Sequence, residues 1–288
     1  MPKLLSFNQF IDPKKSCKIA FVGDIMQHEK QLEFESSRNF SYDKVFDNLS
    51  ELFNGLDLVI GNLETVIKEG KISGYPNFCS PPELLYSLKK SGFDSLITCN
   101  NHSLDHDEEG VKSTFNFIES SGMIPIGSMG QDKKTFDVKG NKITIHAYTT
   151  FFNGDKKSDN VSTWNEKSGV KKSDGINIAY IHSGKQYDNT VTPEQNRIGK
   201  ELKESGFDGV ISTHSHVPGD LIYDEDGFFC IYGMGNFISD QKDLGVEQGN
   251  CVIFEVDGGK IQSIDILVTE SVVDDDGKTI IQFRDETK

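Results

Sequence analysis

Residues 209–216 read Gly209-Val210-Ile211-Ser212-Thr213-His214-Ser215-His216. The apolar residues predict a buried strand over 207–211, and its end delivers two imidazoles. Side chains two apart on a strand share a face, so this spacing predicts that His214 and His216 point to the same side. Two neutral imidazoles aimed at one point beside a sheet edge indicate a metal ion. The chain holds seven histidines, most of them just past an apolar run.

The stretches upstream repeat the pattern. Apolar runs predict strands over 17–24, 56–60, 95–99, 123–126 and 176–181. Helical spacing predicts helices over 42–53, 82–90, 108–120 and 192–204, with Pro81, Pro82 and Pro193 at first turns and Gly122 as a C-cap. Buried strands alternating with helices define an α/β protein. Three hairpins are expected, about Gly140-Asn141, Asp224-Glu225-Asp226-Gly227 and Asp257-Gly258-Gly259. The polar stretch 152–174 reads as a long surface loop and a candidate lid. No internal repeat, low-complexity segment or linker divides the chain.

Composition narrows the function. Of 288 residues, 35% are hydrophobic and 26% charged, a normal balance for a packed, soluble domain. The net charge of −15 repels nucleic acid and anionic membrane. The pairs Lys89-Lys90, Lys133-Lys134 and Lys171-Lys172 read as solvated surface. Acidity is compatible with a phosphate substrate, because bound divalent cations reverse the local field. The five cysteines form no Cys-x-x-Cys and read as small buried hydrophobes. There is no signal peptide, and no apolar run approaches the roughly 18 residues of a membrane helix. The expectation is a cytoplasmic chain without direct membrane insertion, or one whose leader has been removed.

Polar residues recur at the C-terminal ends of the apolar runs: Asp24 with His28 four later, Asn62 and Glu64, Asn101 and His102, His182, then His214 and His216. In open α/β sheets the loops at these ends converge on one crevice. Each residue alone has a plainer reading: Asp24 as a turn cap, Asn62 and Glu64 as loop polars, Asn101-His102 as a satisfied turn. Their joint occurrence favours a site. A set of oxygen and nitrogen donors without thiolate suits Mn²⁺, Fe²⁺ or Zn²⁺, and two cations need a shared carboxylate at about 3.5–4 Å separation. Asp105, three residues past His102, is placed to orient that imidazole. His146, inside a predicted strand, and His106, in a loop, are left out.

Four blocks, Gly23-Asp24-Ile25-Met26, Asn62-Leu63-Glu64, Asn100-Asn101-His102-Ser103-Leu104-Asp105 and Tyr232-Gly233-Met234-Gly235-Asn236-Phe237, resemble those of the CapA family. This is the poly-γ-glutamate capsule biosynthesis group of the calcineurin-like metallophosphatase superfamily. The resemblance implies a four-layer α/β/β/α sandwich of two mixed sheets flanked by helices, with a dinuclear metal site. It implies Asp24 and His216 on the first metal, Glu64 bridging, and Asn101, His182 and His214 on the second. His102 is then the catalytic acid or phosphate contact, and Asn62 and Asn236 line the pocket. Two positions depart from the pattern. Met26 replaces the usual histidine of the first block, leaving the first metal one ligand short unless His28 turns in. His182-Ser183-Gly184-Lys185-Gln186 replaces the usual His-Trp-Gly-x-Glu.

The expected organisation is a tail over 1–16, a CapA-like domain over 17–241, and a C-terminal β-meander over 242–288 packed on that domain. The implied activity is metal-dependent phosphoester hydrolysis by a metal-activated hydroxide. The alternative is a non-enzymatic component of capsule biosynthesis or export that binds an anionic polymer beside capsule synthesis subunits. A third reading is a metal-poor descendant that only binds a ligand.

Overall fold

The computed structural model describes residues 3–6, 14–42, 46, 49–164, 170–241, 245–273 and 278–283. In the first half the elements are β1 (Lys3–Ser6), β2 (Cys17–Ile25), α1 (Glu29–Ser37), α2 (Leu49–Leu52), β3 (Leu58–Leu63), β4 (Val66–Ile67), β5 (Cys79–Ser80), α3 (Glu83–Lys90), β6 (Ser95–Ile97), α4 (Asp107–Ser120) and β7 (Ile124–Ile126). The second half holds β8 (Lys133–Val138), β9 (Asn141–Thr149), β10 (Ile176–His182), α5 (Pro193–Glu204), β11 (Gly209–Thr213), β12 (Leu221–Tyr223), β13 (Phe229–Tyr232), β14 (Asn236–Ile238), β15 (Gln248–Asp257), β16 (Lys260–Val273) and β17 (Thr279–Phe283).

Among the described residues these strands form two large mixed sheets. The first runs β1-β16-β15-β2-β3-β6-β7, with β14 added on β2 and β17 on β16. Its β2, β3, β6 and β7 are parallel, whereas β15 pairs antiparallel with β2. The second runs β12-β13-β11-β10-β9-β8, with a parallel centre and antiparallel edges.

Strand alternation sorts side chains into three cores. Along β2, Ile19 and Phe21 face the second sheet, while Ala20 and Val22 face α2, α3 and α4. Along β10, Ile178 and Tyr180 face the first sheet, while Ala179 and Ile181 face α5. Between the sheets Phe229 and Phe254 lie with ring centroids 5.0 Å apart, and Phe21 meets Tyr180 at 6.2 Å. Each such buried aromatic contributes roughly 1.5–3 kcal/mol. The result is the expected four-layer sandwich, helix, sheet, sheet, helix.

Most predicted elements are present within a few residues, including the three hairpins. Thr192 caps α5, and Pro193 stands in its first turn, as expected. Of the helix expected over 42–53, the described part is Leu49–Leu52, and 43–45 and 47–48 lie outside the described residues. Residues 165–169 of the polar loop, and 242–244, 274–277 and 284–288 of the C-terminal stretch, also lie outside them. Helix α1 was not predicted, because its buried face carries Gln31 and Glu35 beside Leu32 and shows no apolar stripe. Lys3–Ser6, within the segment read as a tail, pairs antiparallel with β16. All five cysteines are free and buried. His146 is a core residue of β9. No helix among the described residues is long and apolar enough to cross a membrane.

Candidate metal centre

The C-terminal ends of β2 and β3 in one sheet, and of β10 and β11 in the other, open at the same end of the sandwich. Asp24 and Asn62 are register partners across β2 and β3. His182 and Thr213 are partners across β10 and β11. Glu64 follows β3, Asn101 and His102 follow β6, and His214 and His216 follow β11. Both sheets therefore supply donors, which a single-sheet crevice would not require.

Gly23 makes the first arm possible. A Cβ there would stand 2.1 Å from the Gly235 carbonyl oxygen. Its absence lets the Gly235–Asn236 segment close onto β2, and Asp24 N donates to that oxygen at 2.9 Å. The Gly23-Asp24 and Gly235-Asn236 blocks, 212 positions apart in numbering, are thus two halves of one backbone contact.

Two groups of buried donor atoms result, Glu64 with His182 and His214, and Asp24 with Glu64 and His216, each within 4.8 Å of one another. Glu64 belongs to both. Its two oxygens are buried without a hydrogen-bond partner, as are Asp24 Oδ2 and His214 Nδ1. Asn62 Nδ2 donates to Asp24 Oδ1 at 2.8 Å. His216 Nδ1 stands 3.2 Å from Asp24 Oδ2 without hydrogen-bond geometry, and 3.1 Å from Asn236 Oδ1 as a hydrogen bond. His182 Nε2 lies 2.7 Å from Asn101 Oδ1 and 3.7 Å from Glu64 Oε1, and its Nδ1 lies 3.0 Å from Thr213 Oγ1. A threonine hydroxyl donates or accepts, so Thr213 allows the imidazole either tautomer and leaves Nε2 able to present a lone pair.

Electrostatics agree with cation binding. Burial first, and then the neighbouring Asp24, push the Glu64 carboxyl well above the usual carboxylate range. Burial, with the other imidazoles adding to it, holds His182 well below the ordinary histidine value, and His214 is lowered to about 4. His182 and His214 are thus neutral and ready to ligate, and Glu64 is a carboxyl whose ionised form a nearby cation would favour. Buried oxygens left without donors are costly unless a proton or cation meets them. Residues of this donor type fit divalent cations.

The His-x-His convergence has a different cause from the one predicted. Strand β11 ends at Thr213, and His214 and His216 lie beyond it with φ of 101° and 57°. Left-handed conformations are uncommon for such residues and cost about 1–3 kcal/mol. The turn, not the pleat, aims the rings, which sit 6.0 Å apart and join different donor groups.

His28 stands apart from both groups. It precedes α1, its Nδ1 lies 2.9 Å from Asp240 Oδ1, and its ring packs edge-on against Phe78. His102 is buried beside His182 and His214. Its Nδ1 is 2.7 Å from Asp105 Oδ2, which also accepts from Phe78 N at 2.7 Å. An ionised carboxylate only accepts, so Nδ1 carries the hydrogen and Nε2 is left for another partner.

Sequence reasoning missed Asn153, Phe151 and Phe78. Asn153 Oδ1 accepts from Asn101 Nδ2 at 3.0 Å, and the Asn153 amide also reaches His102 Nδ1 at 3.2 Å, so one side chain ties both site residues together. Phe151 packs edge-on against His214, and Phe78 against His102. None carries a local signal beyond its polarity or ring, because each acts across more than 20 positions. Asn153 belongs to the polar loop, whose described part is fastened: Asn153 N donates to Asn101 O at 3.2 Å, and Lys156 Nζ to Leu104 O at 2.6 Å.

A two-sheet sandwich with paired donor groups sharing one carboxylate at its open end has a calcineurin-like metallophosphatase fold with a candidate dinuclear metal site. Residues 18–241 match the family described as bacterial capsule synthesis protein PGA_cap, and the chain belongs to that family. It is similar to the PGA biosynthesis protein CapA of Bacillus subtilis (strain 168), 26% identical over 246 residues, covering 77% of this chain and 63% of that protein. It is likewise similar to the capsule biosynthesis protein CapA of Bacillus anthracis, 25% identical over 252 residues, covering 77% of this chain and 60% of that one. The chain thus spans less than two thirds of either relative. Among solved structures, a novel phosphatase from Mycoplasma pneumoniae shares the fold, with a TM-score of 0.59, 18% identity, and coverage of 91% of this chain and 95% of that one.

Proposed function

We propose that the chain is a metal-dependent phosphoester hydrolase. The observation that carries this reading is Glu64, fully buried, both oxygens unpartnered, and shared by the two donor groups. Asp24, Glu64 and His216 would hold one divalent cation, and Glu64, Asn101, His182 and His214 the other, with Mn²⁺, Fe²⁺ or Zn²⁺ suited to the set. His28 is set aside because it faces Asp240. When bound, such a pair supplies Lewis acidity and lowers the pKa of water from 15.7 toward about 7.

The chain's own residues do the rest. Asn62 holds Asp24, Asn236 orients His216, and Thr213 orients His182. Asp105 fixes the His102 tautomer so that Nε2 faces the substrate, where it binds a phosphoryl oxygen or gives a proton to the leaving oxygen. Phe78 and Phe151 pack against these imidazoles and limit their contact with water. The substrate is a phosphoester or other small anion, and not a nucleic acid, given the charge of −15. The five free, buried thiols support a reducing compartment, the cytoplasm. The unit of function is the domain over 17–241 with the stretch from 242 packed on it, supported by the antiparallel pairing of β15 with β2.

The test is to load the purified chain with Mn²⁺, measure bound metal, and assay aryl phosphate mono- and diesters. The expected result is close to two metals per chain and a turnover that His216→Ala reduces by at least about a hundredfold. Unchanged turnover in that variant overturns the mechanism. A second reading rests on the names of the relatives: a non-catalytic part of capsule synthesis or export that binds an anionic polymer beside synthase subunits. It is favoured if polyglutamate retains the chain on a column after chelation, and the negative charge argues against it.

A further inference from the structure

The outer face of the second sheet is covered unevenly. Helix α5 packs over β10, β11 and β13 through Ile198 and Leu202. The neighbouring β9 is flanked instead by the polar connection, where Thr149 N donates to Ser162 O at 3.0 Å and Trp164 N donates to Thr149 O at 2.8 Å. A loop covers a sheet less completely than a helix, and a cleft of about 550 Å³ remains, with Asp132, Lys133, His146, Tyr148, Asp159 and Lys171 among its lining. Among the described residues it shares none with the metal centre.

His146 decides the chemistry of this cleft. The residue is 1% exposed, and its Nε2 lies 3.1 Å from Asn177 Oδ1. The Asn177 amide cannot be reversed. Its Nδ2 donates to Ser173 O at 2.8 Å and Gly175 O at 2.9 Å, and its Oδ1 accepts from Ser173 N at 2.7 Å. His146 must therefore donate from Nε2, which leaves Nδ1 as a bare lone pair. That nitrogen is buried without a partner. Burial lowers the pKa of the imidazole, with Asn177 opposing and Lys133 adding to the effect, so the ring stays neutral. Nearby, the indole Nε1 of Trp164 is also buried without a partner, and its ring meets Tyr148 edge-on at 5.7 Å.

A ligand group that reaches His146 Nδ1 from the cleft must donate a hydrogen to it. The lining also restricts its charge. Two ammonium groups, Lys133 and Lys171, balance two carboxylates, Asp132 and Asp159, so these four leave no net charge to draw in an ion. A neutral molecule with several hydroxyls meets every requirement: each hydroxyl both donates, to imidazole or carboxylate, and accepts, from ammonium or indole. Aromatic surface beside such polar groups suits the apolar face of a pyranose ring. We infer that this cleft is a second binding site, separate from the metal centre, that takes a neutral sugar unit with a hydroxyl donating to His146 Nδ1.

The chain has one tryptophan, Trp164, whose ring meets Tyr148 of the lining, so its emission serves as the readout. The experiment titrates the whole chain with D-glucose, D-galactose and N-acetyl-D-glucosamine, and with citrate and putrescine as charged controls. The expected result is a saturable change in emission with at least one sugar, half-saturating at about millimolar concentration, and none with either control. His146→Leu raises the half-saturation by at least about tenfold, and the surface change Asp159→Asn raises it severalfold without risk to the core. His216→Ala, in the metal centre, leaves the sugar response intact, so this site and the proposed hydrolase stand or fall separately. The inference is overturned if no sugar gives a saturable response with the folded chain. It is equally overturned if citrate or putrescine binds as well as the sugars, or if folded Asp159→Asn and His146→Leu bind as wild type does.

Discussion

Replacing Glu64 with glutamine tests the metal reading through stability rather than turnover. Asp24 and Glu64 present buried oxygens within 4.8 Å of each other. Two carboxylates at that separation repel by about 3.5 kcal/mol at an effective dielectric of about 20. Desolvation acts in the same direction, and together they raise the Glu64 carboxyl well above the usual range. A folded-state pKa raised above the unfolded one gives stability that is complete at low pH and is lost as pH rises through the folded value, by up to about 1.4 kcal/mol per unit. Glutamine has the shape of the protonated acid and does not titrate. In chelator at pH 5, Glu64→Gln and wild type should therefore melt together. On the alkaline limb the variant should melt higher, by up to roughly 5–10 °C, the equivalent of about 3 kcal/mol in a chain of this size. Mn²⁺ should invert the order, because wild type gains from ligation that the variant has lost. Thermal melts at several pH values, in chelator and in Mn²⁺, give both comparisons. A variant that melts below wild type in chelator at every pH, and gains as much from Mn²⁺, would refute the reasoning.

Further outcomes are expected elsewhere. Glu35 is 2% exposed with both oxygens unpartnered, and burial, only partly offset by Arg38, raises it to about 7. Stability it supplies at low pH is lost as pH rises through about 7, so Glu35→Gln should match wild type at pH 5 and exceed it by about 2–3 kcal/mol at pH 8 in urea unfolding. Gly23→Ala would force a Cβ to 2.1 Å from Gly235 O, and should cost roughly 3 kcal/mol or more in the same assay. Asn153→Ala should weaken metal binding by about tenfold in a metal titration with the melting temperature of the chelated chain unchanged, whereas Asn153→Asp, which keeps the acceptor for Asn101, should retain it.

Much of the fold was legible because hydrophobic periodicity is local. The short, nearly unbroken apolar runs of β2 and β10 mark buried strands, and Pro193 in the first turn of α5 marks a helix start. Helix α1 escaped because Gln31 and Glu35 occupy its buried face. Within the site, Asp24, Glu64, Asn101, His182, His214 and His216 stood out as polar groups closing apolar runs, and the structure brings them together. His28 had the right side chain but turns to Asp240. Asn153 could not be found from the sequence, since its partner Asn101 lies 52 positions away.

By itself the sequence determined which residue types end the strands, and hence that oxygen and nitrogen donors without thiolate gather at one edge. Only the tertiary structure decided how they divide. Two sheets packed face to face, closed at Gly23 and Gly235, put Glu64 between two donor groups, and the left-handed turn after Thr213 sends His214 to one and His216 to the other. The reason is that side-chain period is set by neighbours in the chain, whereas the direction of a loop residue is set by the backbone and by what it packs against.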